Sequence, residues 1–157
     1  MEPRFNLYAS PAAAKVAKYL NSASKAVEDA GLDPKLPNLL LLRASQINGC
    51  GFCTDMHYKD AVAAGEDPVR LNLVAAWREA TLFTGAERAA LALTEEGTRI
   101  ADARTGVDDG VWEDARKRFS DDELAGIISL VAIINAYNRL NVMAGSPAGG
   151  YVAGQFG

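Results

Sequence analysis

"NLLLLRASQINGCGFCTDMHYKDAVAAG", Asn38 to Gly65, is the most informative stretch of this chain. Its first part, Asn38 to Asn48, is apolar on nearly every face, which marks a buried helix, and Gly49 is placed to end it. From Cys50 the pattern runs helically again to Ala64, with Gly65 as the next stop. The segment reads as two helices joined at a glycine. It also holds both cysteines and the only histidine of 157 residues, all within the eight positions from Cys50 to His57.

The same helical grammar extends outward. Ser10-Pro11 matches an N-cap followed by proline at the first helical position, opening a helix that Gly31 closes. "DPVRLNLVAAW", from Asp67, begins a further helix with Pro68 in its first turn. "TGAE" (Thr84–Glu87) and "SDDE" (Ser120–Glu123) match the capping box. They open "AERAALALTEEGTRIADAR" and "DELAGIISLVAIINAYNRLNVMA", with a shorter helix around "GVWEDARKRF" between them. Nothing alternates with period two, and no hairpin dipeptide sits between apolar runs. The fold class is therefore all-α, a single domain over residues 1–157 with about six to eight helices. The glycine-rich tail from residue 145 to 157 is expected to be loose or laid on a neighbour.

Composition narrows the function. A net charge of −4 with no basic patch speaks against nucleic acid as a partner. No basic segment precedes an apolar run at the start, and no stretch of about 18 apolar residues stands out, so a cytoplasmic protein without a membrane partner is expected. In that compartment a CxxC pair points to redox chemistry or a metal rather than a structural staple.

Spacing sharpens this. On one helix Cys50, Cys53 and His57 fall within an arc of about 60°. The cysteines, three apart, can meet as a disulfide at a helix start, and His57 lies one turn beyond Cys53. The first turn of a helix favours a thiolate, through its free N–H groups and macrodipole. His57 adds either a positive charge or a proton acceptor. These are the requirements for attack on a peroxide or a disulfide. A structural zinc would need a fourth ligand, for which only Asp55 or Asp60 is at hand. A thioredoxin-type motif would need flanking strands.

"RASQINGCGFCTDMH" resembles the core of the alkylhydroperoxidase D (AhpD)-like family, within the carboxymuconolactone decarboxylase superfamily. The resemblance continues through "AAWREATLFTGAERAALAL" and "INAYNRL", covering residues 35–143. It implies an all-helical fold, a homo-oligomer of trimeric or hexameric type, and no bound cofactor or metal. The implied activity is a thiol-dependent peroxidase that reduces hydroperoxides through a dithiol/disulfide cycle, reset by an external dithiol. By motif position Cys53 is the attacking cysteine, Cys50 its resolving partner, and His57 part of the proton relay. The relay glutamate of the family falls at Asn38, twelve residues before Cys50, and Asn38 cannot exchange a proton at neutral pH. Glu79 is the carboxylate that could rebuild the relay. Ser45 and Arg139 are secondary site candidates, as are Trp77, Phe83, Tyr137 and Asn138, whose aromatic members read first as core packing. Arg139 ends a very apolar helix and calls for a partner, at a subunit interface or on a substrate. The charges of "ERAALALTEEGTRIADAR" read as a solvated helix face. Two rival functions follow: a lactone decarboxylase, whose chemistry does not call for a CxxC, and a helical assembly module whose cysteines only sense redox state.

Overall fold

The computed structural model describes residues 2–102 and 106–156. They form seven α-helices and, among the described residues, no strand. These are α1 (Pro11–Glu28), α2 (Leu36–Ile47), α3 (Gly51–Ala63), α4 (Pro68–Leu73), α5 (Gly85–Thr98), α6 (Asp109–Arg116) and α7 (Asp121–Ala144), with short 3-10 turns at Leu7–Ala9, Val74–Ala76 and Ile100–Asp102.

The most apolar short helix becomes the centre. α2 packs against α3, α5 and α7 at once, and Leu39, Leu40 and Leu42 are almost fully enclosed. A helix with apolar residues all round has to be covered on several sides, so three neighbours are what its sequence requires. Leu71, Leu91 and Ile127 complete the core around it. Truncating any one of these leucines to alanine would cost about 2–5 kcal/mol, because the hole left behind collapses only in part.

Both capping boxes form. Thr84 accepts from the Glu87 amide while the Glu87 carboxylate accepts from the Thr84 amide, and Ser120 and Glu123 do the same for α7. Each satisfies two helix-end donors that would otherwise lack partners. At the other end of α7, Gly145 takes a left-handed conformation (φ 69°) that turns the chain back toward α3. The turn after α1 comes close to α7 at Gly126, where an added Cβ would lie 2.6 Å from that of Ala30. The α7 segment has an 18-residue window of mean hydropathy 1.3, enough by length and composition to cross a bilayer. Its packing on α1, α2 and α5 gives that apolar character an internal use.

Three expectations are corrected. The helix after Thr84 stops at Thr98 instead of running on through Asp102, because Arg99 leaves helical geometry and a 3-10 turn follows; its expected last residues, Ala103 and Arg104, lie outside the described residues. The helix beginning at Pro68 is only six residues long before it tightens into the turn at Val74–Ala76. The glycine-rich tail is not loose. It folds back on α3 of its own chain, where Gly149, Tyr151 and Gly154 are hydrogen-bonded.

Candidate active site

The turn between α2 and α3 sets the site. Gly49 sits at φ 64°, a left-handed conformation that side chains disfavour, and reverses the chain between the two helices. The Cys50 amide then donates to the Ser45 carbonyl at 3.0 Å. Cys50 is not the first residue of the helix, as its spacing suggests, but its extended N-cap; Gly51 opens α3. The correction has chemical content. As N-cap, the Cys50 Sγ accepts the Cys53 amide at 3.3 Å, so the sulfur occupies the position where a capping oxygen normally satisfies the helix end. Cys50 and Cys53 are joined as a disulfide, with their Cα atoms 5.3 Å apart. Each is 1% exposed.

His57 follows one turn after Cys53 and is buried, and its Nε2 has no hydrogen-bond partner among the described residues. Burial pushes its pKa down to about 4, against the opposing charge of Asp60. The imidazole is therefore neutral at neutral pH and available as a proton acceptor. Of the two roles open from the sequence, this disulfide state favours the proton acceptor over the fixed positive charge.

A polar network holds this turn against α7. The Asn48 side chain donates to Asn135 Oδ1 (3.0 Å) and Asn138 Oδ1 (2.8 Å). Asn138 donates to Ser45 Oγ (3.1 Å), which in turn donates to the Leu41 carbonyl (2.7 Å). Asn135 donates to Thr98, and Arg139 donates to both the carbonyl and the Oδ1 of Asn135. Ser45, Asn138 and Arg139 thus belong to one network, joined through Asn48, two residues before the first cysteine. Arg139 finds its described partner in its own helix. Asn48 and Asn135 join the site beyond the residues expected from sequence, although amides at 135, 138 and 141 on an apolar helix are a readable signal of a buried polar stripe.

The remaining candidates separate. Asn38 is half-buried on α2; Glu79 is exposed in the turn after Ala76, and its side chain makes no hydrogen bond or ion pair among the described residues. The carboxylate whose charge reaches His57 is Asp60. Trp77 and Phe83 are buried in the core, and Tyr137 donates to Asn21 Oδ1 at 2.6 Å. The charges of α5 are not all a solvated face. Glu95 is 3% exposed and accepts from Trp77 Nε1 (2.9 Å), from Arg43 (2.6 Å), and from Arg78 and Arg99. Burial alone would raise its carboxyl, but the hydrogen bonds from Arg78, Trp77 and Arg43 outweigh this and hold it at about 2. Among the described residues no three His, Cys, Asp or Glu side chains are grouped to hold a metal ion.

This arrangement has known relatives. The chain matches the carboxymuconolactone decarboxylase family over residues 11–96, from the start of α1 to near the end of α5, and belongs to that family. Within it the chain is AhpD-like. It is similar to the uncharacterized protein YdfG of Bacillus subtilis, 30% identical over 131 residues that cover 83% of this chain and 88% of YdfG. The crystal structure of ATU0492 from Agrobacterium tumefaciens, a protein of unknown function ascribed to AhpD antioxidant defence, superposes with a TM-score of 0.86 at 36% identity, over 96% of this chain and all of that one. The debrominase Bmp8 shares the fold, with a TM-score of 0.77 at 18% identity over 87% of this chain and 72% of its own.

Proposed function

We propose that the protein is a cytoplasmic thiol-dependent peroxidase working through the Cys50–Cys53 pair. The observation that carries this reading is the disulfide at the start of α3 with a neutral imidazole one turn away, whose Nε2 has no hydrogen-bond partner among the described residues. In the reduced state the Cys53 thiolate attacks the outer oxygen of a hydroperoxide. The O–O bond breaks, Cys53 becomes a sulfenic acid, and the alkoxide leaves and takes a proton. His57 accepts the proton of the Cys53 thiol and returns one to the leaving oxygen. Cys50 then attacks the sulfenic sulfur and water departs, closing the disulfide. An external dithiol supplies the two electrons and two protons that reopen it. Asn38 and Glu79 are the positions at which a carboxylate relay would act; restoring it through Asn38→Glu should raise turnover.

The chain acts as a homo-oligomer of trimeric or hexameric type. Only 39% of the apolar window of α7 is buried within one chain, which leaves apolar surface for a second copy to cover.

Steady-state consumption of hydrogen peroxide and of an organic hydroperoxide, with and without a dithiol donor, tests the proposal. Turnover that requires the donor, and that Cys53→Ser abolishes, is expected. A single stoichiometric oxidation without turnover would assign the pair to redox sensing. Dithiol-driven loss of bromide from a brominated aromatic, with peroxide inert, would move the same cysteine chemistry toward that of Bmp8.

A further inference from the structure

We propose that the C-terminal segment, residues 148–156, is a built-in cover over the redox pair that selects which dithiol can reset it. The inference rests on the dithiol cycle above and adds a determinant of reductant specificity. The two residues between the cysteines are Gly51 and Phe52, and the tail touches both. A Cβ on Gly51 would lie 3.4 Å from that of Ala148, an ordinary van der Waals contact. Phe52 meets the ring of Tyr151 edge-on at 6.4 Å and that of Phe156 at 6.3 Å, and those two rings stack on each other at 5.7 Å.

Polar fastenings hold the tail along α3. The Gly149 amide donates to Asp55 (2.9 Å), and Lys59 donates to the carbonyls of Gly149 (3.2 Å) and Tyr151 (2.9 Å). Burial would raise the Asp55 carboxyl, but Lys59 and the Gly149 amide outweigh it and keep the group below its usual value. The Tyr151 hydroxyl donates to both oxygens of Asp60 (2.9 and 3.0 Å), and the Gly154 amide donates to the same carboxylate (3.1 Å). Of residues 149–156 only Tyr151 is buried. One side chain therefore anchors a segment that is otherwise on the surface.

The chemistry gives this placement its consequence. Reduction requires a donor thiolate to reach one of the two sulfurs. It forms a mixed disulfide there and releases the other sulfur as a thiolate carrying the electron pair of the broken bond. The donor's second thiolate then attacks the mixed disulfide, leaving two protein thiols and an oxidised donor. With both cysteines enclosed, that first approach needs an opening. A tail with one buried side chain and many exposed backbone bonds is the low-stability segment that opens first. A small dithiol needs little clearance; a protein dithiol needs the tail to leave.

The test uses the full-length oxidised protein without any peroxide. Disulfide reduction is followed with dithiothreitol and with a thioredoxin as protein dithiol, in the wild type, Tyr151→Ala, Tyr151→Phe and a control, Tyr19→Ala, on exposed α1. Tyr151→Ala is expected to speed reduction by the protein dithiol about ten- to a hundredfold and by dithiothreitol much less, as local opening energies allow. Hydrogen exchange should show Gly149 and Gly154 losing protection while α2 keeps its own. Tyr151→Phe, which keeps the ring and loses the Asp60 bond, should give a smaller change in the same direction, and it carries the test if Tyr151→Ala does not fold. Unchanged rates, equal acceleration of both donors, acceleration without loss of tail protection, or an equal effect of Tyr19→Ala would each overturn the proposal. Because no peroxide is present, these outcomes do not depend on whether peroxide is the oxidant.

Discussion

His57 and Glu95 are both buried titratable groups, yet the fold treats them in opposite ways. Glu95 receives three arginines and an indole N–H and stays ionised. His57 receives no partner at Nε2 among the described residues and is left neutral. A buried charge without partners is costly, so the Glu95 cluster has the form of a structural joint tying α2 and α5 to the turn at Trp77. A buried neutral base beside two cysteines is in a state of readiness that costs folding stability and serves chemistry. The contrast says where to look for activity and where to look for stability.

The largest expected effect lies on the chemical side. His57→Ala should lower dithiol-dependent peroxide turnover by about 10²–10⁴-fold, the usual worth of general acid–base assistance, with helicity by circular dichroism unchanged. Turnover within a few-fold of wild type would remove His57 from the mechanism.

Next comes the joint. Glu95→Gln should destabilise the protein by about 3–5 kcal/mol in urea unfolding, because it leaves the half-buried Arg43 guanidinium without its charge partner. The specific activity of the folded fraction should not change. A loss of turnover without a loss of stability would erase the distinction drawn here.

Acid separates the two sites by pH window. His57 titrates near 4 in the fold and near 6.5 when unfolded, so the unfolded chain binds its proton first. The stability this leaves in place is complete above pH 6.5 and is lost as pH falls toward 4, by about 3 kcal/mol. Glu95, held at about 2 against an ordinary 4.5, contributes stability that is present above pH 4.5 and disappears below it. Unfolding free energies measured from pH 7 to 3 should therefore show two successive declines. His57→Ala should remove the upper one and Glu95→Gln the lower; a single decline unaffected by either variant would contradict both assignments.

The smallest effect sharpens the comparison within the joint itself. Arg99 is 44% exposed at its side chain, and its bond to Glu95 is the longest of the four, so Arg99→Ala should cost about 1 kcal/mol or less in thermal or urea unfolding. A larger cost would mean that the cluster acts as one cooperative unit.

What could be read directly is what depends on near neighbours in sequence. The two capping boxes, the proline at the start of α1, the glycine between α2 and α3, and the enclosed character of "LLLL" follow from rules acting over a few residues. The proximity of Cys50 and Cys53 is likewise local, although the one-helix picture placed Cys50 a position too far inside α3. Nothing in "TRIADAR" forbids a helix from continuing past Thr98, and the end at Arg99 has no strong punctuation to announce it.

The sequence by itself determined the helices, their order, the family, and the grouping of two cysteines and one histidine at a helix start, because spacing and capping are properties of contiguous chain. Only the tertiary structure decided the rest. Glu95 looks like any surface glutamate until Arg43, more than fifty residues earlier, and Trp77 are brought against it. The protonation of His57 depends on burial, which no residue type encodes. The seating of Tyr151 on Asp60 joins positions 91 residues apart. Whether the tail is loose or fastened is a matter of what it meets, and composition cannot report that.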